Sequence, residues 1–320
     1  MTATSTTSPG TAVSFIDPQT LMRIKSLQLR AHIVVQGFLS GLHRSPHHGF
    51  SVEFSEYREY SPGDDPRHLD WKLYARSDRY YIKRFEEETN LRCHILMDMS
   101  RSMGFGTLAY TKIDYARTLA ATLAYFLAMQ RDAVGLVTFD QEIAEIAPAR
   151  YRPGHLHRLM ICLERAVAGK STNLAAPLEK VAASVRQRGM VVLISDLLAP
   201  PESLRRHLGY LRSEGHEVLL LRVLDPAEID FTFSKPAMFE DMESGRNLYI
   251  DPELARPEYQ AGFQRHSAEL QTLCRELGID FYQMPTNRPL ELAMSDFVQT
   301  RMHARRQVLR AGNRAALTRS

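Results

Sequence analysis

The chain has 320 residues, 44% of them hydrophobic and 24% charged, with 40 basic against 37 acidic side chains and a formal net charge of +3. This composition excludes global disorder, and its charge is too balanced to argue for nucleic-acid binding. The length suits one large α/β domain plus an accessory piece. Cys93, Cys162 and Cys274 lie far apart with no CxxC spacing. They read as buried free thiols of a reducing compartment, not as a disulfide framework or a zinc site.

The chain opens on a Ser/Thr/Pro-rich stretch, residues 1–16, read as a disordered tail. It has neither the basic nor the apolar region of a secretory signal. Asp17-Pro18 has the form of an N-cap with proline at the first helical position. Leu21, Ile24, Leu27, Ala31, Val34 and Phe38 then recur at helical spacing and predict a helix to about Phe38. From Gly41 to about Phe85 the texture changes. Strand-like runs at Phe50–Tyr60 and Arg79–Phe85 flank the turn Ser61-Pro62-Gly63-Asp64. Residues 17–88 therefore read as a helix followed by a β-rich accessory lobe.

From residue 89 to about 309 strands and helices alternate. Strands are expected at Cys93–Met97, Ala133–Phe139, Met190–Ser195, Glu217–Val223 and Ile279–Gln283, with Glu142–Ala147 pairing as a hairpin. Helices are expected at Lys112–Gln130, His155–Val167, Ala175–Gln187, Glu202–Ser213, Glu258–Leu277 and Leu290 to about Arg306. Residues 225–256 break the alternation and read as a β-hairpin insertion, with Phe231-Thr232-Phe233 as one short strand. The fold class that follows is α/β: a doubly wound, mostly parallel sheet flanked by helices. The apolar run Tyr115–Met129 carries Arg117 and is short of the ~20 residues needed to span a bilayer, so it reads as a core helix. The expected location is the cytoplasm.

In an open α/β sheet, ligands bind where loops leave the C-terminal ends of the strands. The loop after the first core strand reads Asp98-Met99-Ser100-Arg101-Ser102. Alternate side chains of an extended segment point the same way, so Asp98, Ser100 and Ser102 can converge. Two further oxygen donors end later loops: one within Gly169-Lys170-Ser171-Thr172-Asn173, the other Asp196 after an apolar strand. Oxygen-only ligands suit Mg²⁺ or Mn²⁺, not Zn²⁺. Taken singly, Asp98, Thr172 and Asn173 also suit helix caps and Asp196 a turn.

Together, D-x-S-x-S, a threonine loop and an aspartate after an apolar strand resemble the metal-ion-dependent adhesion site of von Willebrand factor A domains. The resemblance implies Asp98, Ser100, Ser102, Thr172 and Asp196 as the ligand set. The three hydroxyls would lie at or next to the metal, and the two carboxylates would act largely through water. A partner's carboxylate would complete the octahedral shell. The stretch before this site is similar to the bacterial domain-of-unknown-function-58 family. The similarity rests on Glu53-Phe54, Arg58-Glu59-Tyr60, Pro62-Gly63-Asp64-Asp65-Pro66-Arg67, Leu69-Asp70-Trp71 and Ala75-Arg76, continuing through Lys83 and Glu87-Glu88. That resemblance implies a von Willebrand factor A-like (Rossmann-like) domain without assigned catalysis, of a soluble subgroup. It also implies work beside a MoxR-type AAA+ ATPase in chaperone-like assembly or maturation of a target protein.

Arg58, Asp64, Asp65, Arg67, Asp70, Trp71 and Arg76 read either as an ion-pair network holding the β-rich lobe or as a partner-docking face. A metal-dependent hydrolase using the Asp64 and Asp70 carboxylates is the alternative from another class. It lacks support from H-E-x-x-H, G-x-S-x-G or a phosphate-binding glycine loop, because Gly169-Lys170-Ser171-Thr172 has no upstream glycine at the required spacing. Arg301, Arg305, Arg306, Arg310, Arg314 and Arg319 form a basic end, with residues 310–320 as a tail. That end reads as a solvated helix terminus, or less readily as a contact for nucleic acid or an anionic membrane surface.

Overall fold

A computed structural model describes residues 15–44, 56–59, 74, 79–84, 91–165, 175–185, 187–242 and 245–301. The described residues fall in two compact units: Met1–Leu39 with Leu91–Ser320, and Ser40–Asn90. The amino-terminal helix that the sequence groups with the β-rich lobe thus belongs, through Leu39, to the larger unit. In the smaller unit, β1 (Glu56–Glu59) pairs antiparallel with β2 (Tyr81–Arg84).

The larger unit begins with α1 (Pro18–Met22) and α2 (Leu27–Arg44). The Asp17 side chain caps α1 by accepting from the Thr20 N–H. One continuous helix was expected; instead the chain breaks at Arg23–Ser26 before resuming. Leu27, Ala31, Val34 and Val35 form the buried stripe of α2.

Six strands follow: β3 (Arg92–Asp98), β4 (Ala133–Phe139), β5 (Ile143–Arg150), β6 (Met190–Ser195), β7 (Glu217–Leu224) and β10 (Asp280–Pro285). They make one sheet in the order β10-β7-β6-β3-β4-β5. All neighbours are parallel except β4 and β5. The expected mostly parallel sheet is therefore present, with a single antiparallel edge. At that edge the register slips twice, between Val134 and Leu136 and between Thr138 and Phe139. The bulge at Pro148-Ala149 presses on Gly135, where a Cβ would lie 2.8 Å from the Ala149 nitrogen, so only glycine fits without a backbone shift.

Burial on both faces explains why β3, β6 and β7 are largely apolar, with His94 in β3 and the buried Arg222 in β7 as the interruptions. Leu96, Val191, Leu193, Val218 and Leu220 meet helices α5 (Ala175–Ser184), α6 (Pro201–Ser213) and α8 (Pro252–Leu277) through Leu178, Leu204, Leu208, Leu270 and Leu273. The alternate residues, including Ile95, Met97, Val192 and Ile194, point to the opposite face. There α3 (Lys112–Met129) packs on the sheet, with α4 (His155–Glu164) beside it. Phe126 of α3 meets Phe38 and Phe297 edge-on, tying α2 and the helical residues 290–301 to the same layer.

The insertion differs from its expected form. Phe231-Thr232-Phe233 is not a strand; it follows a short helix, α7 (Pro226–Asp230). Asp225 and Glu228 form a capping box around Pro226, which starts that helix. The hairpin proper is β8 (Ala237–Glu240) with β9 (Asn247–Ile250). Helix α8 starts at Pro252, not at Glu258, because the Asp251 side chain caps it. It then runs on through Pro257.

Candidate metal centre

The parallel pairing of β3 with β6 brings Met97 opposite Ile194, so Asp98 and Asp196 leave the same end of the sheet side by side. Both are fully buried, as is Ser100, and Ser102 is nearly so. The Met99 N–H donates to the Phe139 carbonyl at 2.7 Å, holding the loop across the end of β4. A turn of 3₁₀ helix, Arg101–Gly104, then swings the chain back toward α3.

The local hydrogen bonds fix the Asp98 carboxylate completely. The Ser100 N–H donates to one oxygen at 2.9 Å and the Ser195 hydroxyl to the other at 2.6 Å. Burial first, and the Asp196 carboxylate second, push the Asp98 carboxyl up to about 7 against the pull of those bonds. Asp98 is thus held beside the hydroxyls, with its negative charge short of compensation.

The hydroxyl oxygens of Ser100 and Ser102 are 3.1 Å apart. Two cis ligands of an octahedral Mg²⁺, each about 2.1 Å from the ion, stand roughly 3 Å apart. One buried oxygen of Asp196, Oδ1, has no hydrogen-bond partner among the described residues. A buried acceptor left open at one strand end, with two converged hydroxyls and a second carboxylate at the end of the neighbouring strand, is a donor set that a hard divalent cation fits. Among the described residues no cluster of three His, Cys, Asp or Glu side chains forms a metal group. Hydroxyls are therefore needed to complete this set.

Asp196 is held at two points, and the turn after it is held in addition. Its carbonyl accepts from the Arg222 Nε at 3.0 Å, and its other carboxylate oxygen, Oδ2, accepts from the Lys112 ammonium at 2.9 Å. The chain after it turns through Leu197, whose φ of 53° is left-handed, a strained conformation for a leucine. The Leu197 N–H donates to the Ser195 hydroxyl, and its carbonyl meets the His266 ring at 2.8 Å. Together they pin the turn.

Lys112 and Glu228 were not singled out by the sequence. The Lys112 ammonium donates to Glu228 at 2.7 Å as well as to Asp196. Burial works against its charge, but the two carboxylates outweigh it and hold the lysine above its ordinary value. Burial also pushes Glu228 up despite the lysine. The ionised lysine is the firmer of the two, since two carboxylate oxygens face one nitrogen while the Glu228 side chain stays 18% exposed. The sequence marks Ser195 only as the end of a strand. A hydroxyl closing an otherwise apolar run, one residue before the aspartate, was the available signal.

Of the expected ligands, the structure brings Asp98, Ser100, Ser102 and Asp196 together; Thr172 lies outside the described residues. Arg58 lies on β1. Asp64, Asp65, Arg67, Asp70, Trp71 and Arg76 lie outside the described residues, as do the arginines beyond Arg301. No described helix is long and apolar enough to cross a membrane.

The family described as protein of unknown function DUF58 matches residues 56–269. An uncharacterized protein of Mycobacterium tuberculosis is 30% identical over 290 residues, covering 89% of this chain and 90% of its own length. Among solved structures, the conserved hypothetical protein BatB of Bacteroides thetaiotaomicron is 12% identical with a TM-score of 0.44, covering 66% of this chain and 99% of its own. The VWA domain of SpRpn10 is 13% identical with a TM-score of 0.37, covering 63% and 92%. The mostly parallel sheet is flanked by helices, and the chain belongs to the DUF58 family.

Proposed function

We propose that this protein is a non-catalytic, metal-dependent interaction module. It takes Mg²⁺ or Mn²⁺ at Asp98, Ser100, Ser102, Thr172 and Asp196 and binds a partner protein through that partner's carboxylate. When bound, the metal would supply a coordination position for a partner's carboxylate oxygen. The protein's own groups do the rest. Ser195 and the Ser100 N–H orient Asp98, Arg222 fixes the Asp196 backbone, and the 3₁₀ turn sets Ser102 beside Ser100. The observations that carry the reading are the pair of hydroxyls 3.1 Å apart in the loop after β3 and the open, buried Asp196 carboxylate oxygen at the same end of the neighbouring strand β6. The family resemblance supports a finer reading, that the module works with a MoxR-type AAA+ ATPase in chaperone-like assembly or maturation of a target.

The test is a Mn²⁺ titration of the purified chain joined to a co-precipitation with the ATPase of the same organism, in Mg²⁺ and in EDTA. The expected result is Mn²⁺ uptake and metal-dependent retention of the ATPase or its target, both lost in Asp98→Ala while the far-ultraviolet spectrum is unchanged. Retention that ignores both EDTA and Asp98→Ala would sink the reading.

A further inference from the structure

A lysine at the first position of a helix is misplaced by ordinary electrostatics, because that end already carries the positive pole of the helix dipole. Lys112 sits there, directly after the Thr111 cap of α3, and its side chain is fully buried. Burying an ammonium in such a place requires specific anions. The two it has come from different elements: Asp196 from the end of β6 and Glu228 from α7. Phe105 closes over the ammonium, its ring centre 6.0 Å away.

We infer that Lys112 is the resident counter-cation of the metal site: it keeps the site assembled without a divalent ion and weakens the site's hold on one. The inference rests on the metal reading above and concerns its regulation. With all groups ionised, the carboxylates of Asp98, Asp196 and Glu228 against the Lys112 ammonium and the Arg222 guanidinium, which interacts with both Asp196 and Glu228, leave one negative charge, so the site keeps an excess of anion for a divalent cation to meet. Without Lys112, Asp196 and Glu228 would be two carboxylates converging on one buried point with nothing between them. A divalent ion would then be needed for folding. With Lys112, folding proceeds in either state, so occupancy is free to follow the availability of metal and partner. The lysine occupies one oxygen of Asp196 and leaves the other open, which divides that carboxylate between an internal and an exchangeable cation. Because Glu228 belongs to the helix that opens the hairpin insertion, the same ammonium ties the insertion to the site.

The test compares the full-length wild type, Lys112→Met and Lys112→Met/Glu228→Gln, each by Mn²⁺ titration calorimetry and by thermal unfolding in Mn²⁺ and in EDTA. The double variant removes one cation and one carboxylate together, so it restores the wild-type net charge without the lysine and guards against a single variant that fails to fold. The wild type is expected to change Tm by no more than a few degrees on metal removal. Lys112→Met is expected to bind Mn²⁺ roughly tenfold or more tightly and to unfold much earlier, or not fold at all, in EDTA, with recovery on adding Mn²⁺. The double variant should return toward wild type in both measurements. If the wild type binds Mn²⁺, Asp98→Ala does not, and Lys112→Met matches the wild type in affinity and EDTA response, the Lys112 inference falls and the metal reading stands. If neither the wild type nor Lys112→Met takes up Mn²⁺, both fall.

Discussion

Ser195 illustrates how much one hydroxyl can hold. It donates to Asp98 at 2.6 Å and accepts from the Leu197 N–H at 3.0 Å, both in full burial. Ser195→Ala leaves a buried carboxylate oxygen and a buried amide unsatisfied, an expected loss of about 2–3 kcal/mol measurable by urea unfolding in EDTA. A loss below about 0.5 kcal/mol would mean that the carboxylate finds other partners. His94 gives a residue-level pH dependence away from the metal site. Burial, helped by the nearby His216 and Arg92, lowers it from 6.5 to about 4. Its folded value is therefore depressed below its unfolded one. Between pH 6.5 and 4 the unfolded chain takes up a proton that the folded chain refuses. Its share of stability is complete above pH 6.5 and is lost as the pH falls through that window, by roughly 2–3 kcal/mol. Urea unfolding at pH 7 and pH 4.5 should show a smaller drop for His94→Gln than for the wild type; equal drops would assign the effect to other groups.

Among the elements, α7 links the insertion to the loop beneath it. Asp225 accepts from both the N–H and the hydroxyl of Thr107, at 2.8 and 2.6 Å, and from the Ala227 N–H at 2.9 Å. Asp225→Ala is expected to cost about 2–3 kcal/mol. It should also raise amide exchange in residues 103–111 as much as in α7 itself. Protection unchanged in 103–111 would show that the loop is held independently. This element also marks where the sequence was legible and where it was not. The strands β3, β4, β6 and β7 were readable because burial on both faces writes short, mostly apolar segments rich in β-branched residues and leucine. Asp98, Ser100, Ser102 and Asp196 were readable because they sit at the ends of such runs. Asp225-Pro226-Ala227-Glu228 carried a complete cap signal, but the flanking Phe231 and Phe233 were read as strand. Their rings instead pack on each other and on Phe239, an aromatic cluster with no period of two. Lys112 was not legible as part of the site, because its partners lie 84 and 116 residues away and only the sheet order brings them to it.

At the scale of the molecule, chemistry is concentrated at one end of the parallel strands, while the antiparallel margin β5 is unsuited to recruiting another strand. Pro148 has no N–H to offer, the bulge beside it breaks the repeat of backbone groups, and Glu145 and Arg150 bring charge to the same edge. A peptide seeking to add itself to the sheet along β5 would find an interrupted template. Recognition along that border by main-chain pairing, which tolerates almost any sequence, is therefore disfavoured. Selectivity falls instead to side chains presented point by point, and a partner would be chosen for where it carries its functional groups, not for its readiness to extend.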